Sequence, residues 1–405
     1  MTKEKQRGWL LLTAILLTAL NLRIALASVS PVYGFIQEDF GIGRAAAGLL
    51  VTLPVLCMAL FAPLASVVGN RLGRRAMILS SIALIGLATA LRFEGGPFAL
   101  FPSAVAVGIG IATIQALMPE IIKRNFPEKS ATINGAYTAS MALGATVAAS
   151  AVVPITSATG SWPASLSIWA VLALPALLAW LPIRGAEGEH RGERGNGVRL
   201  PMRVPRVWMA MAFFSMTSLM YFSILSWISQ VFEDEGLSQA QGGLVLSTFT
   251  GVQIFSAFAV PAIANRFPDR RPVLIAVIAT TVTGLLLAAL IPDIAPWMPW
   301  VCAAMLGASQ GSLFPLALTL PLDNTRTPQM AGRLTSACFL AGYSVAAVGP
   351  AAIGAARDIS GGFTTPLFVL AGISCLQILL STRMTPDFHI EDHDPSENLR
   401  RQASE

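Results

Sequence analysis

Residues 9–33 read WLLLTAILLTALNLRIALASVSPVY, an almost unbroken apolar run that carries one arginine, Arg23, in Asn21-Leu22-Arg23. At about 1.5 Å of helical rise per residue, Arg23 lies roughly 20 Å in from Trp9, past the middle of a hydrocarbon core about 30 Å thick. A guanidinium cannot shed its proton to escape burial, so it requires a counter-charge, carbonyl oxygens or a water-filled cavity inside a helical bundle. If a cavity is present, an anion is its natural occupant. The alternative is a structural arginine held by protein carbonyls.

The rest of the chain extends that pattern. Of its 405 residues 54% are hydrophobic and only 12% charged, with a mean hydropathy of +0.65, too few charges to coat a soluble surface. Runs of about 20 apolar residues recur about twelve times, near 9–33, 45–69, 76–93, 98–122, 131–154, 162–181, 207–232, 242–264, 272–291, 297–320, 331–355 and 364–382. This predicts an all-α membrane protein. Cys57, Cys302, Cys338 and Cys375 all fall inside apolar runs and form no CxxC pair, so they read as small core residues and not as a metal site or disulfide framework. His190, His389 and His393 lie in the middle loop and the tail. No cleavable signal peptide is expected, because the first run is long enough to span.

Charge placement predicts the topology. Lys3, Lys5 and Arg7, Arg71, Arg74 and Arg75, Lys123, Arg124 and Lys129, the arginines from Arg184 to Arg206, Arg266, Arg270 and Arg271, and Arg326 and Arg333 all occupy alternate loops. The intervening loops hold Glu38, Asp39, Glu94, Glu233, Asp234, Glu235 and Asp293. By the positive-inside rule both termini are cytoplasmic, as an even number of spans requires, and the basic pI argues for topology and not for nucleic acid.

Residues 183–206 interrupt the apolar pattern with glycine, arginine and glutamate, and read as a flexible cytoplasmic linker. The expected units are 1–182, a six-helix bundle; the linker 183–206; 207–383, a second six-helix bundle; and a cytoplasmic tail, 384–405. A shift of roughly 195 positions lays Gly41 on Gly236, Ala45 on Ala240, Gly48 on Gly243, Asn70 on Asn265 and Arg71 on Arg266, with Glu38 and Asp39 on Glu233 and Asp234. Two parallel six-helix repeats are the architecture of a rocking transporter with its site between the halves near mid-membrane.

The loop Gly69-Asn70-Arg71-Leu72-Gly73-Arg74-Arg75 and its second copy from Asn265 to Arg271 resemble the signature loop of the major facilitator superfamily. Asn70 stands where that family usually has aspartate, so a charged latch is weakened to a hydrogen bond. The resemblance narrows at three stretches: Leu20-Asn21-Leu22-Arg23; Gly108-Ile109-Gly110 with Gln115 to Pro119 and Lys123-Arg124; and Leu313-Phe314-Pro315 with Leu322-Asp323 and Gly332-Arg333. These are similar to the cyanate and nitroimidazole transporter family. The resemblance implies transport of a small polar or anionic solute.

Helical spacing supplies the other candidate residues. Gly108, Ala112, Gln115 and Pro119 share one face, small except for the amide, that could approach the first helix and present Gln115 to a solute, or use it as interhelical glue. Asn134, Thr138 and Met141 share a face of the fifth helix, with Tyr137 beside it. Tyr221 and Trp227 of the seventh helix offer aromatic walls, although tryptophan near a helix end is also an interface anchor. Phe249, Thr250, Gln253 and Ser256 make a polar stripe on the eighth, and Gly307, Gln310 and Phe314 a face of the tenth. The substrate-binding candidates are Arg23, Gln115, Asn21, Tyr137, Asn134, Tyr221, Trp227, Gln253, Gln310 and Phe314. The gating candidates are Asn70, Arg71, Gly73, Arg74, Glu120, Lys123, Arg124, Asp323 and Arg333, with Arg92–Glu94 and Arg357–Asp358 as outer pairs.

No carboxylate lies near mid-membrane, which disfavours direct proton coupling through a buried acid. The function expected is a secondary active or facilitative transporter of a small anionic, cyanate-like solute by alternating access, with or without an accompanying proton. An exporter of nitroimidazole-like or other drugs is the alternative. An enzyme or sensor would need a motif such as HExxH or GxSxG or a signalling domain, and ATP hydrolysis a GxxxxGK[ST] loop, none of which occurs. The expected setting is the lipid bilayer of a bacterial-type inner membrane, as a monomer without cofactor, metal or nucleic acid.

Overall fold

The computed structural model describes residues 3–183, 204–264, 266–267, 269–290, 295–323 and 328–383. Most of the expected linker (183–206) and the whole expected tail (384–405) lie outside them. Among the described residues there is no strand. Twelve helices are long and apolar enough to cross a membrane: Gly8–Phe40 (α1), Arg44–Ala62 (α2), Arg74–Glu94 (α3), Pro97–Asn125 (α4), Thr132–Thr159 (α5), Trp162–Trp180 (α6), Pro205–Glu233 (α7), Gln239–Ala264 (α8), Arg271–Leu290 (α9), Met298–Ala317 (α10), Leu334–Ser360 (α11) and Thr364–Thr382 (α12). Six precede residue 184 and six follow residue 203.

The largest boundary difference is in α1, which runs on to Phe40 through a 3₁₀ turn at Ser30–Val32. Pro31 lacks an N–H and breaks the i to i−4 ladder, but the apolar residues beyond it still have a core to enter. Tyr33 and Ile36 are fully buried.

Glycines fix how the two sets of six meet. Gly41 and Gly236, equivalent in the repeat, end α1 and α7 with positive φ of 61° and 98°, a conformation that costs glycine nothing. Gly48 on α2 and Gly243 on α8 are the next equivalent pair. A Cβ on Gly48 would lie 2.6 Å from the carbonyl oxygen of Pro350 on α11, and one on Gly243 would lie 2.6 Å from that of Ala149 on α5. The halves therefore join along two matching seams, α2 with α11 and α5 with α8, where small residues allow backbones to approach. Within the second half, Gly307 and Gly311 let α10 lie on the backbone of α8 at Phe249 and Gln253.

The seams are tightest toward the end of the bundle that carries the loops after α1, α3, α5, α7, α9 and α11, here termed the far end. Ser30 Oγ donates to the Ser226 carbonyl at 2.7 Å, Ser247 Oγ to the Thr146 carbonyl at 3.0 Å, and the Thr146 and Thr250 hydroxyls meet at 2.9 Å. Side chains such as Phe98 and Ile359, 95% and 88% exposed, lie on the outer surface, which in a membrane protein faces lipid and interface.

Candidate functional site

Arg23 projects from α1 into the space between the halves and is only 7% exposed. Its Cζ sits 5.0 Å from the ring centroid of Tyr221 and 5.6 Å from that of Phe222, both on α7 of the opposite half. Nη1 is buried with no hydrogen-bond partner. Among the described residues no carboxylate pairs with Arg23. A cation over desolvated rings gains about 2 kcal/mol, whereas burying an ion costs several. The rings therefore offset only part of the cost of burial, and the remaining demand is for negative charge.

That demand opens onto a cavity of about 50 Å³, lined by Arg23, Thr138, Met141, Tyr221, Gln253 and Gln310, with Phe314 closing one side. Roughly 10–15 Å³ admits one water by this measure, so the space suits a few waters or one small ion. Gln253 Nε2 and Gln310 Oε1 are buried without partners, while Gln310 Nε2 donates to Thr281 at 3.3 Å. Tyr137 Oη is likewise unpartnered and lies within electrostatic reach of Arg23, as does Tyr343. Buried polar atoms normally find partners. Here several unpaired ones, mainly donors, converge around one fixed cation.

The other candidate residues separate from this cluster. Gln115 reaches Met141 Sδ at 3.9 Å and lines a second cavity of about 180 Å³ nearer the termini, with Met58, Pro119, Ser336, Phe339 and Tyr343. The small face of α4 packs on α2, not on α1: a Cβ at Gly108 would lie 2.5 Å from Pro54 Cα. Asn21 donates to the carbonyls of Leu17 at 2.8 Å and Leu172 at 3.0 Å, joining α1 to α6. Asn134 lines neither cavity; next to it Gly135 abuts Phe258 of α8. Trp227 is 2% exposed, packs against Tyr33 with ring centroids 5.2 Å apart and tilted by 48°, and donates Nε1 to the Pro350 carbonyl at 2.7 Å. It is a buried pin between α7 and α11, away from the Arg23 cavity.

Charged residues at the helix ends are distributed differently from the sequence expectation. Arg74 pairs with Glu120 at 2.6 Å, and Gly73 precedes α3 at φ 88°. Lys123 and Arg124 are exposed, and the side chains of Asn70, Arg71, Asp323 and Arg333 lie outside the described residues. At the far end, neither expected outer pair forms. Arg92 turns inward, donating Nε to Ser103 Oγ at 3.2 Å and Nη1 to the Ala25 carbonyl at 3.0 Å. Arg357 reaches Asp234 at 2.7 Å, and Arg44 of the first half reaches the same carboxylate at 3.0 Å. Asp358 accepts from the Ala45 N–H at 3.2 Å. Sequence proximity misassigned these pairs because a charge at a helix end chooses among neighbours in space. The signal that could have found Asp234 was its place beside Glu233 in the repeat. Phe222 and Tyr343, which flank Arg23, gave no signal beyond being aromatic.

A described bundle of twelve spans, closed at one end over a cavity that holds one arginine and two glutamines at the seam between its halves, defines a multi-pass membrane transporter of small solutes. The Major Facilitator Superfamily profile matches residues 11–350, and the chain belongs to that family. It is 31% identical over 376 residues to an uncharacterized transporter, YycB, of Bacillus subtilis, covering 91% of each chain. It is 28% identical to the 2-nitroimidazole transporter of Escherichia coli over 92% of this chain and 93% of that one, and 29% identical to the cyanate transport protein CynX of the same organism over 87% and 91%. In fold it resembles the D-xylose-proton symporter, with a TM-score of 0.74 at 13% identity over 94% of this chain and 98% of that one.

Proposed function

We propose that this transporter moves a small anion of the cyanate kind by alternating access, with Arg23 as its charge anchor. The observation that carries this reading is a buried guanidinium without a counter-carboxylate, facing a cavity sized for a small ion and edged by the unpartnered Gln253 Nε2 and Gln310 Oε1. The anion would replace the aromatic faces as the partner of Arg23, which lies on the first half while Tyr221 and Phe222 lie on the second. Solute binding would thereby alter a contact between halves and bias their rocking.

Charge asymmetry of the loops supports cytoplasmic termini. The far end is then external, and the 180 Å³ space beside Gln115 is a vestibule on the cytoplasmic side. A single chain supplies every residue of the cavity, so the monomer is taken as the transporting unit. Thermal shift of the purified protein in detergent, against cyanate, other small anions and nitroimidazoles, tests the reading. Stabilisation by cyanate supports it, and stabilisation by none of the anions overturns it.

A second reading, export of nitroaromatic compounds, is favoured by the vestibule, where Phe339 and Tyr343 rings stand 5.6 Å apart beside the Gln115 amide. The resistance profile of a deletion strain separates the two: hypersensitivity to nitroimidazoles supports export.

A further inference from the structure

At the far end the Arg44–Asp234–Arg357 contact bridges the two halves as a latch, and the two adjacent carboxylates there sit in unequal settings. Asp234 takes both guanidiniums, Arg44 and Arg357. Glu233, one residue earlier, hydrogen-bonds to neither. Its Oε2 accepts from the Gln230 amide at 3.0 Å, while Oε1 is buried without a partner. That oxygen lies over Gly242 on α8, where any side chain would collide with it. Glu38, the counterpart of Glu233 in the repeat, is exposed to solvent, and Asp39, the counterpart of Asp234, is held by the Trp162 indole at 3.3 Å. At neither position, therefore, does the first half match this half-buried carboxyl with its buried oxygen.

The groups around Glu233 are Asp234 beside it, Arg44 on α2, Arg357 and Asp358 on α11 beyond Asp234, and the neutral amides of Gln230 and of Gln239, which faces Gly34 of α1. An ionised Glu233 would have one oxygen stripped of water and donors and would stand beside Asp234, whose negative charge opposes it; the Gln230 amide and the Arg44 charge offset only part of this. A neutral carboxyl avoids both penalties. Opening the far end would part Arg44 from Asp234 and admit water to the same oxygen, where the charged form is favoured.

We infer that Glu233 is a proton-operated latch: a proton from the solution at the far end binds Oε1 as that end closes and is returned to the same solution when it opens. No proton need cross the membrane. Acid at the far side holds the mouth shut, and alkalinity favours opening. Closure is therefore linked to proton uptake, and the closed population falls as pH rises through the range in which Glu233 titrates in the closed state. The inference rests on the alternating-access reading but not on the identity of the solute.

The test needs no solute. Spin labels are placed by Phe98→Cys and Ile359→Cys, both exposed at the far end of opposite halves, in the full chain carrying Cys375→Ser, and their separation is measured from about pH 5 to about pH 9, the range that buried carboxyls reach. The expected result is a short separation in acid giving way to a longer one in alkali, with Glu233→Gln fixed at the short separation throughout and Glu233→Asp retaining a transition. A pH response in Glu233→Gln equal to that of the parent overturns the inference, as does a parent insensitive to pH. Because cyanate binding is read by thermal shift, failure of the anion reading and failure of the latch are seen in different experiments.

Discussion

Among the described residues two arginines of the first half are buried, and their surroundings could hardly be less alike. Arg92 is 2% exposed and Arg23 7%, so burial does not distinguish them. Arg92 spends its donors on Ser103 and the Ala25 carbonyl, tying α3 to α4 and α1. Arg23 has two aromatic faces and a cavity. A buried cation already paired with protein dipoles serves the fold; one left short of partners beside open space is available to a ligand. Neutral carbonyl and hydroxyl partners do for Arg92 what a solute would do for Arg23.

The largest effect that would break this contrast concerns Arg23 itself. Arg23→Gln should abolish uptake while protein level in the membrane is retained; uptake at the parent rate would place the anchor elsewhere. Arg92→Gln should do the reverse, keeping anion binding but costing about 1–3 kcal/mol of stability through the partners left unpaired, read as a lowered Tm in detergent. Gly311→Val should come next, since a side chain there meets Gln253 and Ser256 and overpacking costs about 1–3 kcal/mol. Gln253→Leu should weaken anion binding by roughly tenfold, about 1.4 kcal/mol, as expected for one hydrogen bond to a charged ligand. Smallest of all, Trp227→Phe removes the bond to Pro350 and should cost about 1 kcal/mol of stability without changing affinity; a loss of affinity would return Trp227 to the binding site.

The spans were legible because hydrophobic length is a one-dimensional property; Gly48 and Gly243, matched in the repeat, lie at the two seams, which only the structure shows. The site was legible only in part. Arg23, Gln253 and Gln310 could be assembled because each stood out against an apolar helix, and Phe314 because it shares a face with Gln310. Gln115 could not be placed, since the spacing of α4 shows which face is small but not that α2 would cover it. Asn21, two residues from Arg23 and so about 200° round the helix, faces α6 instead, which the helical spacing alone implies. The latch at Asp234 needed three dimensions, for Arg44, Asp234 and Arg357 are far apart in the chain.

The most direct measurement of the central claim is the shift in Tm of the purified protein and its Arg23→Gln variant on titration with cyanate, with chloride at equal ionic strength as control. Concentration-dependent stabilisation of the parent by cyanate, absent in a variant whose unliganded Tm is no lower than the parent's, is the predicted result. Equal stabilisation of both proteins would contradict it, because the anion would then be binding without the one buried charge that gives it a reason to enter.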